Sequence, residues 1–264
     1  MKNKPIGIFD SGVGGLTVAK AILELLPNES VIYIGDTARI PYGTRGRDVI
    51  TSFATELVEF LLKKDVKYLV AACNTISATC LEEIQKLSPV PILGVIKPAA
   101  KEAIKTTKSG KIGVIGTRAT IGSKIYEKEL KILSPDVEVT TKACPMFVPI
   151  AEEALGRHEI AKTMAYEYLT EFKDSGIDTL ILGCTHYPLL REVIQEAVGN
   201  EITLIDSASP TARLLNEELE KNNLFNERSA ERKFYVTDAP ERVYQIADVF
   251  LGKHVVPTLE KVTL

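Results

Sequence analysis

Tyr68-Leu-Val-Ala-Ala-Cys-Asn-Thr75 lies without a gap over Thr179-Leu-Ile-Leu-Gly-Cys-Thr-His186. Each stretch is an apolar run that stops at a cysteine and turns polar. Runs that are apolar throughout, without alternation, suit strands covered on both faces of a parallel sheet. Upstream, Ile6-Gly-Ile-Phe-Asp-Ser11 overlies Ile112-Gly-Val-Ile-Gly-Thr117, and nearly equal lengths of chain separate the members of each pair. Any two buried parallel strands look somewhat alike; two pairs in register favour a repeated βα pattern. Working outward, short apolar runs at Val31–Ile34, Ile92–Ile96, Val137–Thr141, Ile202–Ile205 and Phe234–Val236 predict further strands. Amphipathic segments of helical length lie between them, among them Leu16–Leu26, Asp48–Lys63 and Ile160–Lys173. In the last, Met164, Tyr168 and Phe172 recur at the spacing of one helix face. Such alternation predicts a doubly wound α/β protein with largely parallel sheets, and the repeated pattern suggests two similar domains facing each other. The closing residues have no counterpart in the first half and are expected to return to the first domain. That division gives 1–94 with 207–264, and 95–206.

Composition sets the function classes. The chain has 264 residues, 45% of them hydrophobic and 25% charged, with a net charge of −3. A balance so close to neutral leaves no basic footprint for nucleic acid. No apolar run approaches the roughly 20 residues that span a bilayer. Met1-Lys-Asn-Lys-Pro5 lacks the apolar region of a signal peptide, so a cytoplasmic protein without a membrane partner is expected. In that compartment Cys73, Cys80, Cys144 and Cys184 are reduced thiols, and their spacing fits neither a zinc knuckle nor a thioredoxin-type pair.

In open α/β sheets ligands bind beyond the carboxyl ends of the strands. That rule selects Asp10-Ser11, Asp36, Cys73-Asn74-Thr75, Thr117 and Cys184-Thr185-His186. Cys80 and Cys144 read as small buried hydrophobes. Cys73 and Cys184 instead each end a strand and open a predicted helix, whose free N–H groups are expected to lower the thiol pKa. Two thiols in opposed half-sites suit a reaction that needs a base on one face of a carbon and an acid on the other, such as inversion of a stereocentre. Backbone N–H groups with Ser11, Asn74, Thr75 and Thr185 are candidates to hold the substrate carboxylate. Asp10 stands where it can pair with one cysteine, and His186 lies two residues beyond the other.

Gly12-Val-Gly-Gly-Leu-Thr17 invites a dinucleotide-binding reading, with Asp36 as the ribose acid. Thr17 replaces the third glycine of that fingerprint, so a tight turn that lets backbone approach a carboxylate is preferred. Pro41-Tyr42-Gly43 is a turn whose Tyr42 is placed to close over a substrate.

Four stretches in order carry a resemblance to a known family: Ile8-Phe-Asp-Ser-Gly-Val-Gly-Gly-Leu-Thr17, Gly35-Asp-Thr-Ala-Arg-Ile-Pro-Tyr-Gly43, Ala72-Cys-Asn-Thr75 and Gly183-Cys-Thr-His-Tyr-Pro188. The chain resembles the glutamate racemases of the aspartate/glutamate racemase family from its first strand to its end. The resemblance implies cofactor-independent interconversion of L- and D-glutamate, which supplies D-glutamate for bacterial peptidoglycan. It implies that Cys184 takes the proton from L-glutamate and Cys73 from D-glutamate. Asp10 and His186 match the helpers of the two thiols, and Glu152 looks like a further carboxylate near the second. Asp10-Ser11, Tyr42-Gly43, Asn74-Thr75, Thr185-His186, Thr117 and Thr120 match substrate contacts. The resemblance also implies two α/β domains with the active site in the cleft between them, and a homodimer.

Three rivals remain open at this level. The same thiols suit aspartate or another small amino acid. A pyridoxal phosphate racemase would use Lys97, which follows the predicted strand Ile92–Ile96. A two-domain ligand-binding protein would need no thiols.

Overall fold

The computed structural model describes residues 1–251 and 258–264. Among the described residues ten strands alternate with helices: β1 Ile6–Asp10, β2 Val31–Gly35, β3 Tyr68–Ala71, β4 Ile92–Gly94, β5 Lys111–Gly116, β6 Glu138–Ala143, β7 Thr179–Gly183, β8 Thr203–Ile205, β9 Arg232–Val236 and β10 Leu259–Lys261. They form two sheets in which every described pairing is parallel. One runs β10-β9-β2-β1-β3-β4 and the other β6-β5-β7-β8.

The unbroken apolar runs follow from burial on both faces. In β1, Ile6 and Ile8 join the core under the helices Leu16–Leu25, Ala208–Lys221 and Pro240–Leu251, while Phe9 joins the opposite core under Arg47–Leu62. In β7, Leu180 and Leu182 face the helices Glu159–Lys173 and Arg191–Val198, and Ile181 faces Ile96–Thr106 and Ile125–Leu133. A helix on each face is what a parallel sheet requires. Among the described residues no helix is long and apolar enough to cross a membrane.

Two predicted elements shift, and one strand is not foreseen. The run Ile92–Ile96 is not one strand. The chain turns after Gly94, where a Cβ would lie 3.1 Å from Ser77 Oγ, and the Val95 N–H donates to that hydroxyl at 3.3 Å. Ile96 and Lys97 then open the helix Ile96–Thr106, and Pro98 sits in its first turn, where a missing N–H costs nothing. The strand expected at Val137–Thr141 is β6, an edge strand whose exposure alternates, so it is covered less fully than its neighbours. β10 has only three residues, Leu259, Glu260 and Lys261, and no apolar run announces it.

Within each sheet the strand order reverses once. In the first, β1 is followed by β2 on one side and β3 on the other; in the second, β5 has β6 and β7 as its neighbours. Crevices form at these switch points, beyond the carboxyl ends of the strands. Asp10 and Cys73 flank the first crevice, Thr117 and Cys184 the second.

Candidate active site

A cavity of about 410 Å³ is lined from both switch points. From the first come Ser11, Gly12, Cys73, Asn74 and Thr75, with Tyr42 and Gly43 on the turn after β2; from the second come Thr117, Cys184, Thr185 and His186. Glu152, at the end of the helix Phe147–Glu152, also lines it. Both thiols are buried, Cys73 at 5% and Cys184 at 6% exposure, and both reach the same space.

The two sulfurs have unlike company. Cys73 Sγ lies 3.2 Å from Ser11 Oγ. Behind it, Asp10 is 1% exposed and is not part of the cavity wall. Burial raises the Asp10 pKa, against the pull of His186 and of the backbone N–H groups of Gly15, Gly12 and Ser11. Burial, and then the Asp10 charge, push the Cys73 thiol up to about 12, so it rests protonated at neutral pH. This reverses the lowering expected from a helix N-terminus. The helix Asn74–Thr79 has six residues, and its partial charge is too small to offset desolvation.

Cys184 Sγ lies 3.7 Å from His186 Nδ1, and His186 Nε2 lies 3.0 Å from Glu152 Oε1. Burial alone lowers the pKa of His186; contact with Cys184 and Glu152 outweighs it and lifts the ring to about 10. The ring is therefore an imidazolium at neutral pH. No α-helix follows Cys184 directly: the chain continues into a 3₁₀ turn, Tyr187–Leu190, and the positive group in contact with the sulfur is His186.

The glycine-rich loop explains itself in this setting. The Gly12 N–H donates to Asp10 Oδ2 at 2.9 Å, and a Cβ at Gly15 would lie 2.6 Å from Asp10 Cβ. The loop wraps the carboxylate of Asp10, while Ser11 and Gly12 line the cavity, and a buried acid occupies the place that the dinucleotide reading gives to a phosphate. Asp36 is wholly buried and bonds to Tyr42 and Arg39, so it presents no acid to a ribose.

Other candidates stand less directly in the cavity than their motifs suggest. The Asn74 amide is held between elements: its Oδ1 accepts from Tyr126 Oη at 2.7 Å and its Nδ2 donates to Ser207 Oγ at 3.2 Å. Its second N–H and second lone pair are left for a ligand, and Asn74 lines the cavity. Tyr42 lines the wall, but its hydroxyl donates to Asp36. Thr120 lies behind the wall, where its hydroxyl is 3.0 Å from that of Thr117; Thr117 in turn is 3.0 Å from the Thr75 hydroxyl. Lys97 is exposed on its helix and lines a different depression, so it does not reach the thiols. Cys80 and Cys144 are buried away from the cavity.

The structure adds an apolar wall that the motifs do not mark: Pro145, Met146, Val148 and Pro149. This segment follows β6, and the strand-end rule reaches it once apolar as well as polar residues are considered. Tyr126 and Ser207 lie far from Asn74 in sequence, and no local pattern links them.

The arrangement provides two sulfurs that can exchange protons with one bound molecule, each beside a group that tunes its charge. A family model described as Asp/Glu/Hydantoin racemase matches residues 6–215. A glutamate racemase of Geobacter metallireducens is 49% identical over 251 residues, which is 94% of this chain and 93% of that protein. The glutamate racemase isoform RacE1 of Bacillus anthracis superposes with a TM-score of 0.96 at 42% identity, covering 100% of this chain and 99% of that one. That of Francisella tularensis, solved in complex with D-glutamate, gives 0.94 at 39% identity over 100% and 98%. Matched along most of its length by sequence and by backbone, the chain belongs to the Asp/Glu/Hydantoin racemase family.

Proposed function

We propose that this protein interconverts L- and D-glutamate by moving the α-proton between two thiols, with no cofactor. Cys184 takes the proton from L-glutamate while Cys73 delivers one to the opposite face; the roles reverse for D-glutamate. The observation that carries this reading is the pair of cysteines at equivalent switch points, lining one cavity.

The charges suit the division of labour. The His186 imidazolium lies 3.7 Å from Cys184 Sγ, and a positive charge there suits the role of base toward L-glutamate. Cys73, held as a thiol, is the resting acid. A thiol at about 12 is also a strong base once it gives up its proton, which narrows its mismatch with a carbon acid. Negative charge that develops on the substrate carboxylate is met by the hydroxyls of Ser11, Thr75, Thr117 and Thr185 and the backbone of Asn74 and Gly43. Asp10 assists Cys73, and Glu152 assists Cys184 through His186.

Each sheet is taken as the centre of one domain, 1–94 with 207–264 and 95–206. Support comes from β9 and β10, which extend the first sheet, and from the helix Ala208–Lys221, which shares a core with Leu16–Leu25. A cytoplasmic, homodimeric enzyme that supplies D-glutamate for peptidoglycan synthesis completes the reading.

The test is circular dichroism of L-glutamate with the purified protein and nothing added, beside the same assay on aspartate. Cys73→Ser and Cys184→Ser should each lower turnover by at least about 10²-fold in both directions, with glutamate binding still measurable. In deuterated water the product enantiomer should carry deuterium at its α-carbon. Near wild-type turnover of Cys184→Ser, or retained protium in the product, would refute the two-thiol scheme.

A further inference from the structure

Asp36 is wholly buried at the end of β2, does not line the cavity, and has no part in the proton exchange. A carboxylate in such a place needs several donors to hold its charge. Its Oδ2 accepts from the Tyr42 hydroxyl and from Arg39 Nε at 2.6 Å, and its Oδ1 accepts from Thr237 Oγ1 at 2.8 Å.

These bonds close a ring. Arg39 reaches on to Glu56 at 2.6 Å, and its guanidinium lies over the Phe53 ring with 4.0 Å to the centroid. Phe53 packs on Tyr42 with 5.4 Å between centroids. Thr237, just past β9, also accepts from the Ala38 N–H at 2.9 Å, so the loop from 36 to 44 is anchored to a neighbouring strand at its base. The ring leaves one part of the loop facing the cavity: the turn Tyr42–Thr44 and the preceding Ile40 and Pro41.

The position of that turn governs the far wall. A Cβ at Gly43 would lie 2.9 Å from Thr117 Cβ, so the bare backbone of the turn rests against Thr117. Thr117 in turn holds the hydroxyl of Thr75, beside Cys73. Because the Tyr42 hydroxyl is turned away toward Asp36, the tyrosine serves the cavity by fixing its own backbone and ring, not by offering its O–H.

We propose that Asp36 is a positioning residue: through Tyr42 and Arg39 it fixes the turn Tyr42–Thr44 against Thr117 and so sets the glutamate-binding wall of the cleft. The thiols and their helpers sit on other segments, so loosening this wall weakens substrate binding more than it slows the proton transfers. The inference rests on the racemase reading of the same site.

The experiment compares wild type, Asp36→Ala, Asp36→Asn, Tyr42→Phe and the double variant Asp36→Ala/Tyr42→Phe. It measures KM and kcat for L-glutamate, with melting temperature in parallel. Asp36→Ala removes the acceptor of all three bonds and should raise KM about tenfold or more, the scale of one charge-assisted hydrogen bond, while kcat stays within about threefold. Tyr42→Phe should raise KM in the same sense. The double variant should be no worse than Asp36→Ala, since both changes break one connection. Asp36→Asn keeps an oxygen for the Tyr42 hydroxyl and should recover part of the loss. A merely structural pin would lower the melting temperature and the active fraction, leaving KM untouched. Unchanged KM in the folded variants, or additive effects in the double variant, would overturn the role of Asp36. If Asp36→Ala does not fold, Tyr42→Phe decides alone: raised KM supports the proposal and wild-type KM refutes it. Wild-type protein that fails to racemise glutamate would instead refute the function itself.

Discussion

Gly14→Ala should disable the protein while leaving it folded. The Gly14 backbone packs directly on the side chains of Thr185 and His186, and an added Cβ would lie 2.5 Å from both Cε1 and Nδ1 of His186. Ordinary contact begins at 3.4 Å, so either the imidazole or the loop must retreat by about 0.9 Å. The φ angle of Gly14 is not in the left-handed region, so contact alone, not backbone strain, opposes the methyl. If the ring moves, its 3.0 Å bond to Glu152 and its 3.7 Å contact with Cys184 both stretch past useful length. If the loop moves, the Gly12 N–H leaves the carboxylate of Asp10. Either way one thiol loses its helper. Misplacement on that scale costs about 10²-fold in turnover, and overpacking adds about 1–3 kcal/mol of destabilisation. Gly46→Ala is the matched control, because a Cβ there meets nothing within 4 Å and the residue flanks a helix in an extended conformation. Turnover followed by circular dichroism, beside thermal melting, separates the two effects. A folded Gly14→Ala protein within about threefold of wild-type kcat would show that the position of His186 does not matter to the chemistry.

Two further outcomes follow from the same contacts. The charged form of His186 is stabilised by the fold, since its pKa rises from 6.5 to about 10. That stabilisation is complete below about pH 6.5 and is lost as pH climbs through about 10, so kcat/KM should fall on an alkaline limb near 10. Glu152→Gln removes one of the causes and should move this limb to lower pH; an unmoved limb would exclude Glu152 from the relay. Far from the cavity, buried Lys67 donates to Glu29 at 2.6 Å and to the carbonyls of Lys2 at 2.6 Å and Leu224 at 2.7 Å, tying the returning chain to the start of the first sheet. Lys67→Met strands the Glu29 carboxylate and should cost about 3–5 kcal/mol in urea unfolding, with KM unchanged; a loss below about 1 kcal/mol would show that the carboxylate finds water.

The strands and the two thiols were legible because each answers to a local rule. Double-sided burial writes an unbroken apolar run, as at Tyr68–Ala71 and Thr179–Gly183, and the strand-end rule then points at the next residue. What local rules miss is set by tertiary neighbours. The strand at Ile92 stops early because Ser77 catches the chain. Asn74 lines the cavity and is also held by Tyr126 and Ser207, residues that only folding brings near. The glycines resemble a phosphate loop but enclose Asp10. The sign of the Cys73 shift is the sharpest failure: helix polarity is visible in sequence, whereas desolvation depends on everything packed around the sulfur.

The unlike surroundings of the two thiols raise a question that thermodynamics constrains. L- and D-glutamate are mirror images of equal free energy, so kcat/KM must be the same in both directions at every pH. Placing an imidazolium beside Cys184 and a carboxylate beside Cys73 therefore cannot make a one-way enzyme; it can only fix which protonation state rests. In the proposed scheme, conversion of L-glutamate moves negative charge from Cys184 to Cys73, toward Asp10 and against that field. The second state is reachable only if the helpers adjust their own protons. Asp10 is suited to this, because burial raises its affinity for a proton, and a neutral Asp10 no longer opposes a thiolate at Cys73. Its enclosure by glycine backbone is thus more than a packing detail: the burial that raises the proton affinity of Asp10 also weakens the opposition of its carboxyl group to a thiolate at Cys73.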